Sequence, residues 1–123
     1  MQYFRVIIAG GRDFQDYELL KEKCDNILKE RSGTQKIIVV SGAARGADKM
    51  GERYANEKGY TIEQYPADWK HLGNAAGPIR NAQMANSADA LIAFWDGQSR
   101  GTKNMINVAR TKGLLVRVIN YNH

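Results

Sequence analysis

One cysteine, two prolines and two histidines among 123 residues remove several possibilities at once. Cys24 alone rules out an intramolecular disulfide framework, and a free thiol fits a reducing cytoplasm. Cys24, His71 and His123 are too few soft ligands for a structural zinc site, so no metal is expected. No apolar run approaches the roughly 18 residues of a membrane span, which argues against a membrane partner. The opening stretch MQYFRVIIAGGR passes from a short apolar run straight into glycines and does not read as a signal peptide. Runs of basic residues are missing too. The net charge of +5 favours anionic partners, but the lysines and arginines read as dispersed over a solvated surface. The length suits one domain, 1–123, with a single core.

What is present is alternation. The stretch IIVVSGAARGAD is the clearest unit: its first four residues are apolar and β-branched, and they read as a short buried strand. Ser41-Gly42 breaks the run, Gly46 allows a tight bend, and a helical pattern follows from Ala47. Such a bend gathers free amides and the positive end of a helix dipole, a setting suited to phosphate, with Arg45 as an added grip. The rest of the chain repeats the theme. Strands are expected at 4–9, 37–40, 61–65, 90–95 and 115–119, and helices at 15–30, 47–58, 78–87 and 102–112. Gly59 and Gly113 stand where helix C-caps belong, and Pro78 where a first helical residue belongs. Residues 67–77 are expected to be irregular, and a loop that long is more often functional than idle.

Strands alternating with helices call for α/β architecture: a five-stranded parallel sheet between two helical layers, a Rossmann-like three-layer sandwich with order 3-2-1-4-5. Its switch point falls between the first and fourth strands, where ligands bind outside the carboxyl ends. Three loops should meet there. In GGRDF, Gly10 and Gly11 let backbone approach a ligand, Arg12 supplies a guanidinium, and Asp13 caps the first helix or holds Arg12. In the second, Ser41, Gly42, Arg45, Gly46 and Asp48 are the candidates. In DGQSRGT, the candidates are Gly97, Ser99, Arg100, Gly101 and Thr102, with Thr102 as cap and phosphate contact. Neither a Gly-x-Gly-x-x-Gly nor a Gly-x-x-x-x-Gly-Lys-Ser/Thr loop is present. Trp69 is a candidate lid over a base, Trp95 a packing residue, and Arg80 with Asn81 lies near the anion site.

Taken together, GGRDF, SGAARGADKMGERYA, PADWKHLGNAAGPIRNAQM and ADALIAFWDGQSRGT resemble the YspA-type branch of the SLOG superfamily over nearly the whole chain. That superfamily includes Lonely Guy phosphoribohydrolases and the Rossmann domain of DNA-processing protein A. The resemblance implies a Rossmann-like fold that binds a nucleotide or nucleotide-derived small molecule, with homodimerisation by analogy. Lonely Guy enzymes carry an Arg-Lys pair before the fourth strand, where Arg80 and Asn81 fall here so that only the arginine is retained, and a Pro-Gly-Gly-x-Gly-Thr-x-x-Glu loop after it. Gly101-Thr102 match the latter, Gln98 and Ser99 replace the paired glycines, and Met105 stands at the glutamate. A methionine moves no proton. Asp13, Asp48, Asp68 and Asp96 are the carboxylates available instead, Asp68 and Asp96 being catalytic candidates beside Arg80, with His71 a further loop candidate.

Three readings follow. The first is a sensor or binding domain for a nucleotide-like ligand. The second is a hydrolase of an N-glycosidic or phosphate bond in such a ligand. The third is single-stranded nucleic-acid binding, as SGAARGAD resembles a segment of DNA-processing protein A, but no dense basic stripe interleaved with aromatics is present.

Overall fold

The computed structural model describes residues 2–121, so His123 lies outside the described residues. Strand β1 (Tyr3–Gly10) leads to helix α1 (Tyr17–Leu28), β2 (Lys36–Ser41), α2 (Ala47–Lys58) and β3 (Thr61–Gln64). A one-turn helix α3 (Trp69–Leu72) precedes α4 (Ala76–Ser87), β4 (Ala90–Trp95), α5 (Arg100–Thr111) and β5 (Leu115–Asn120). The five strands are all parallel, in the order β3-β2-β1-β4-β5.

Alternate residues of the central strands feed two cores. Val6, Ile8, Val39 and Ile92 pack with Leu20, Cys24 and Leu28 of α1 and Tyr54 and Ala55 of α2. Ile7, Val40, Leu91 and Ala93 pack on the other face with Met84 of α4 and Met105, Ile106 and Ala109 of α5. The period-2 direction of strand side chains produces this division. Central strands buried on both faces read as continuous apolar runs, and that is why β1, β2 and β4 were legible. Gly51 lets α2 lie against β1, since a Cβ there would stand 2.8 Å from the Cβ of Ile8. The α2 and α5 C-terminal glycines are as expected: Gly59 at φ 75° and Gly113 at φ 79° take the left-handed conformation.

Several boundaries differ from the sequence reading. Helix α1 starts at Tyr17 because Asp16, not Asp13, accepts the Leu19 amide at 3.1 Å. The helix ends at Leu28, and Ser32-Gly33 belong to a separate 3-10 turn. Residues 67–77 are largely helical: α3, a 3-10 turn Gly73–Ala75 and the start of α4. Pro78 is therefore the third residue of its helix. It is tolerated there because first-turn amides have no intrahelical acceptor. Helix α5 begins two residues early, since Ser99 rather than Thr102 is its cap, its side chain accepting from the Thr102 amide.

Candidate functional site

Helices α1 and α2 cover one face and α4 and α5 the other, so the connections leaving the neighbouring strands β1 and β4 turn to opposite faces. The loops that leave these two strands part from each other and open a crevice of about 730 Å³ at the carboxyl edge. Of the expected ligand residues, Gly10, Gly11, Arg12, Asp13, Arg45, Asp48, Trp69, Arg80, Asn81, Ser99, Arg100, Gly101 and Thr102 line it. Parts of all three loops thus meet at one mouth, joined by α3 and α4.

Arg80 is the central feature. It projects from α4, is only 9% exposed, and donates from Nη1 to the Gly42 carbonyl at 2.6 Å and from Nε to Asn81 Oδ1 at 3.0 Å. Both acceptors are neutral, and no carboxylate pairs with this guanidinium among the described residues. Burial lowers its pKa from the usual arginine value, with the charge of Asp48 opposing that shift and the charge of Arg12 adding to it. The group remains a cation at neutral pH. Asn81 orients it and is itself fully engaged, its Nδ2 donating to Asn104 Oδ1 at 2.9 Å and the Gly101 carbonyl at 3.3 Å. Asn81 therefore ties α4 to the first turn of α5, a positioning role more than a ligand contact.

Asp48, in the first turn of α2, is 6% exposed. Burial pushes its carboxyl up to about 6, against the Ala44 amide donated to it at 3.2 Å and the nearby positive charge of Arg80. Gly42 makes room for both groups. A Cβ at position 42 would stand 2.5 Å from Arg80 Nη1 and 2.7 Å from Asp48 Oδ2. The two charged groups thus flank the β2–α2 bend on the crevice wall.

The β2–α2 loop is not the open phosphate cradle that its sequence suggests. Ala44 donates to Asp48, Ala43 donates to Ser41 Oγ at 3.0 Å, and Ala47 donates to the Gly11 carbonyl at 3.1 Å. The Asp48 carboxylate stands where an external anion was expected. Ser41 is fully buried and its hydroxyl donates to Glu52 at 2.6 Å. Gly46, at φ 81°, gives backbone clearance to Gly11 and Arg12. Ser41, Gly42 and Gly46 are therefore structural, and none of them lines the crevice. The same correction applies to Gly10 and Gly11 in part. They do line the crevice, but each also makes room for a neighbour, Gly10 for the Phe94 carbonyl and Gly11 for the Tyr121 hydroxyl.

Asp96 accepts the Gln98 and Ser99 amides, each at 2.8 Å, and so shapes the β4–α5 turn. Gly97, at φ 85°, completes that turn. Asp68 caps α3 through the His71 amide and meets the His71 ring Nδ1 at 2.9 Å. Asp68, Asp96 and Gly97 do not line the crevice, because backbone geometry holds them elsewhere. Asp13 accepts from the Tyr121 hydroxyl at 3.0 Å and is not the α1 cap. Its partner lies 108 positions away, beyond the reach of local sequence reasoning.

The mouth is narrowed by Arg12, whose guanidinium sits 5.4 Å from the Trp69 ring centroid. Trp69 is 47% exposed and packs over Gly77, where a Cβ would approach the ring to 3.2 Å. Trp95 is packed against the α4–α5 core and donates to the Ser99 carbonyl at 3.1 Å. Asn74 and Asn104 also line the crevice and were missed. Asn104 had a signal, standing one helical turn after Arg100. Four arginines against two aspartates give the walls a positive balance. The first amides of α5 add the dipole end of a helix. Among the described residues, no three His, Cys, Asp or Glu side chains are grouped to hold a metal, and no helix is long and apolar enough to cross a membrane.

Comparison with known proteins adds the ancestry of this arrangement. Residues 4–71 match the model of the YspA, cpYpsA-related SLOG family. The chain is 34% identical over 124 residues to the Gene 61 protein of Mycobacterium phage D29, covering 95% of each. The X-ray structure of TM1055, a structural genomics target, superposes with a TM-score of 0.64 at 19% identity, over 94% of this chain and 72% of that one. DNA processing protein A from Streptococcus pneumoniae superposes with a TM-score of 0.71 at 18% identity, over 98% of this chain. The chain spans about half of that protein, 51% of its length. At such identities the two structures establish the shared fold alone.

Proposed function

Since this chain belongs to the YspA, cpYpsA-related SLOG family, we propose that it binds a nucleotide or nucleotide-derived phosphorylated small molecule in the crevice at the carboxyl edge of its sheet. The observation that carries this reading is Arg80, a buried guanidinium held by two neutral acceptors on the wall of a crevice with excess positive charge. A buried cation without a paired carboxylate is costly unless an anion arrives. Arg100 and the first amides of α5 are placed to share that anion, and the Trp69–Arg12 rim offers a face for a base. A cytoplasmic location and homodimerisation belong to the same reading.

Thermal shift against nucleoside mono- and diphosphates and ADP-ribose tests it. At least one compound at a hundredfold excess over its dissociation constant should add about 3 kcal/mol, a rise of several degrees. In Arg80→Met, measured against its own unliganded midpoint, that rise should fall below about one degree by the same linkage. A panel that leaves the native protein unmoved would sink the reading.

Asp48 favours a second reading, cleavage of the N-glycosidic or phosphate bond of that ligand. Met105 lines the crevice at the position of the missing glutamate, but Asp48 is a crevice carboxyl pushed up to about 6, near the range that suits an acid working at neutral pH. Incubation with nucleoside monophosphates should then release free base, seen by chromatography, and Asp48→Asn should lower the rate at least a hundredfold. Ligand binding without any base release would leave the binding role and remove this one.

A further inference from the structure

Charge outside the crevice is less evenly spread than the sequence suggests. After Asp96 the chain contains no Asp or Glu, while Arg100, Lys103, Arg110, Lys112 and Arg117 follow. Those five equal the entire net charge of +5, so residues 1–96 are neutral on balance. All five are exposed, and none of them enters an ion pair among the described residues. Helix α2 is arranged the other way: Lys49, Arg53 and Lys58 each meet a carboxylate at 3.0–3.4 Å. Its cations are answered from within the molecule, and those of α5 are not.

Positions 100, 103, 107 and 110 fall on one side of a helix, and the exposed residues there are Arg100, Lys103, Asn107 and Arg110. The row is about 15 Å long at the α-helical rise. Neighbouring α4 adds no carboxylate, Arg80 being its sole charged residue. No large apolar side chain is exposed on α5, so the face lacks the anchors of a membrane-surface helix. Its first residue, Arg100, also lines the crevice, and the half-exposed Trp69 stands at the same rim.

We propose that the outer face of α5 binds the sugar–phosphate backbone of a single-stranded nucleic acid and leads that strand to the crevice mouth, where Trp69 presents a stacking surface. The track stands on the charge distribution; where it leads rests on the crevice reading. Cations in a row answer repeating phosphates, and an exposed indole accepts any base face.

The test is fluorescence anisotropy of a labelled oligothymidylate with full-length protein across a salt series. Two variants with the same change in net charge are compared: Lys103→Glu/Arg110→Glu/Lys112→Glu on and beside α5, and Lys21→Glu/Lys29→Glu/Lys36→Glu elsewhere on the exposed surface. The first should weaken binding at least tenfold near 0.1 M salt and flatten the log–log salt slope by about 2, at roughly 0.7 per lost phosphate contact. The second should change affinity less than about threefold if local contacts, not net charge, dominate. Equal losses in both variants, no loss in the first, or no binding by the native protein would each overturn the proposal. Vesicles of phosphatidylserine and phosphatidylcholine competing as well as unlabelled oligonucleotide would overturn it too. Crevice binding is read separately. The α5 variant should keep the thermal shift with free nucleotide, and Arg80→Met should keep the salt slope, so either reading can fail without the other.

Discussion

Gly46→Ala is expected to lower the unfolding free energy by on the order of 4 kcal/mol, combining a strained backbone with overpacking. At φ 81° and ψ −129°, Gly46 lies outside even the left-handed helical well that a side chain tolerates. Its missing Cβ is also the space taken by the Gly11 carbonyl and the Arg12 backbone, 2.6 Å from the Arg12 carbonyl carbon. Main chain cannot swing aside as a long side chain can, so the β1 loop must shift. That loop holds the Gly11 carbonyl that receives both the Phe14 and Ala47 amides. The variant should therefore lose crevice geometry along with stability. Urea denaturation gives the measurement, and Gly33→Ala is the control, since nothing lies within 4 Å of a Cβ there. Equal midpoints for the two variants would refute the account.

The second large effect is a pH dependence of unusual sign. Folding pushes the Asp48 carboxyl from an ordinary 3.8 up to about 6, because burial disfavours its charged form. Between those values the unfolded chain has released this proton while the folded chain still holds it. The folded state binds more protons there, so stability falls as pH rises. The contribution is fully present below about 4, declines across the window, and is gone above about 6, a loss of about 3 kcal/mol at 1.36 kcal/mol per pH unit. Asp25 and Glu52 behave oppositely. Despite burial, hydrogen bonds led by those from Tyr54 and Ser41 hold them below their usual range, and the Tyr17 hydrogen bond does the same for Glu57. Their contributions fade as pH falls through those lowered values. The total curve blends all of them, and Asp48→Asn isolates one, because asparagine does not titrate. Stability of Asp48→Asn minus that of the native protein should climb by about 3 kcal/mol from pH 4 to pH 6 and stay level above. A flat difference would mean that this carboxyl is not held protonated by the fold.

Binding should echo this. Below pH 6 a protonated Asp48 leaves Arg80 with less competition for an external anion.

How much of this was legible before folding varied with distance along the chain. The apolar runs of β1, β2 and β4 and the capping glycines Gly59 and Gly113 are local features, and the architecture followed from them. The crevice was legible through its loops, since topology alone sends the ends of β1 and β4 to one edge. Boundary errors came from near-equivalent caps: Asp13 and Asp16, or Ser99 and Thr102, offer the same chemistry within three residues, and only backbone geometry chooses between them. The basic face of α5 forms no contiguous run, because its cations are spaced by helical periodicity and align only once the helix is wound.

By itself, then, the sequence determined the order of elements, the double-sided sheet and the edge where ligands belong, because strand and helix patterns are written in neighbouring residues. Only the tertiary structure decided what those loops do with their polar groups. It brings Arg80 to the Gly42 carbonyl across 38 positions, gives the Ala44 amide to Asp48 in place of an external anion, and presses Gly46 against the β1 loop. Each of these turns on space and burial shared by distant segments, which no local pattern encodes.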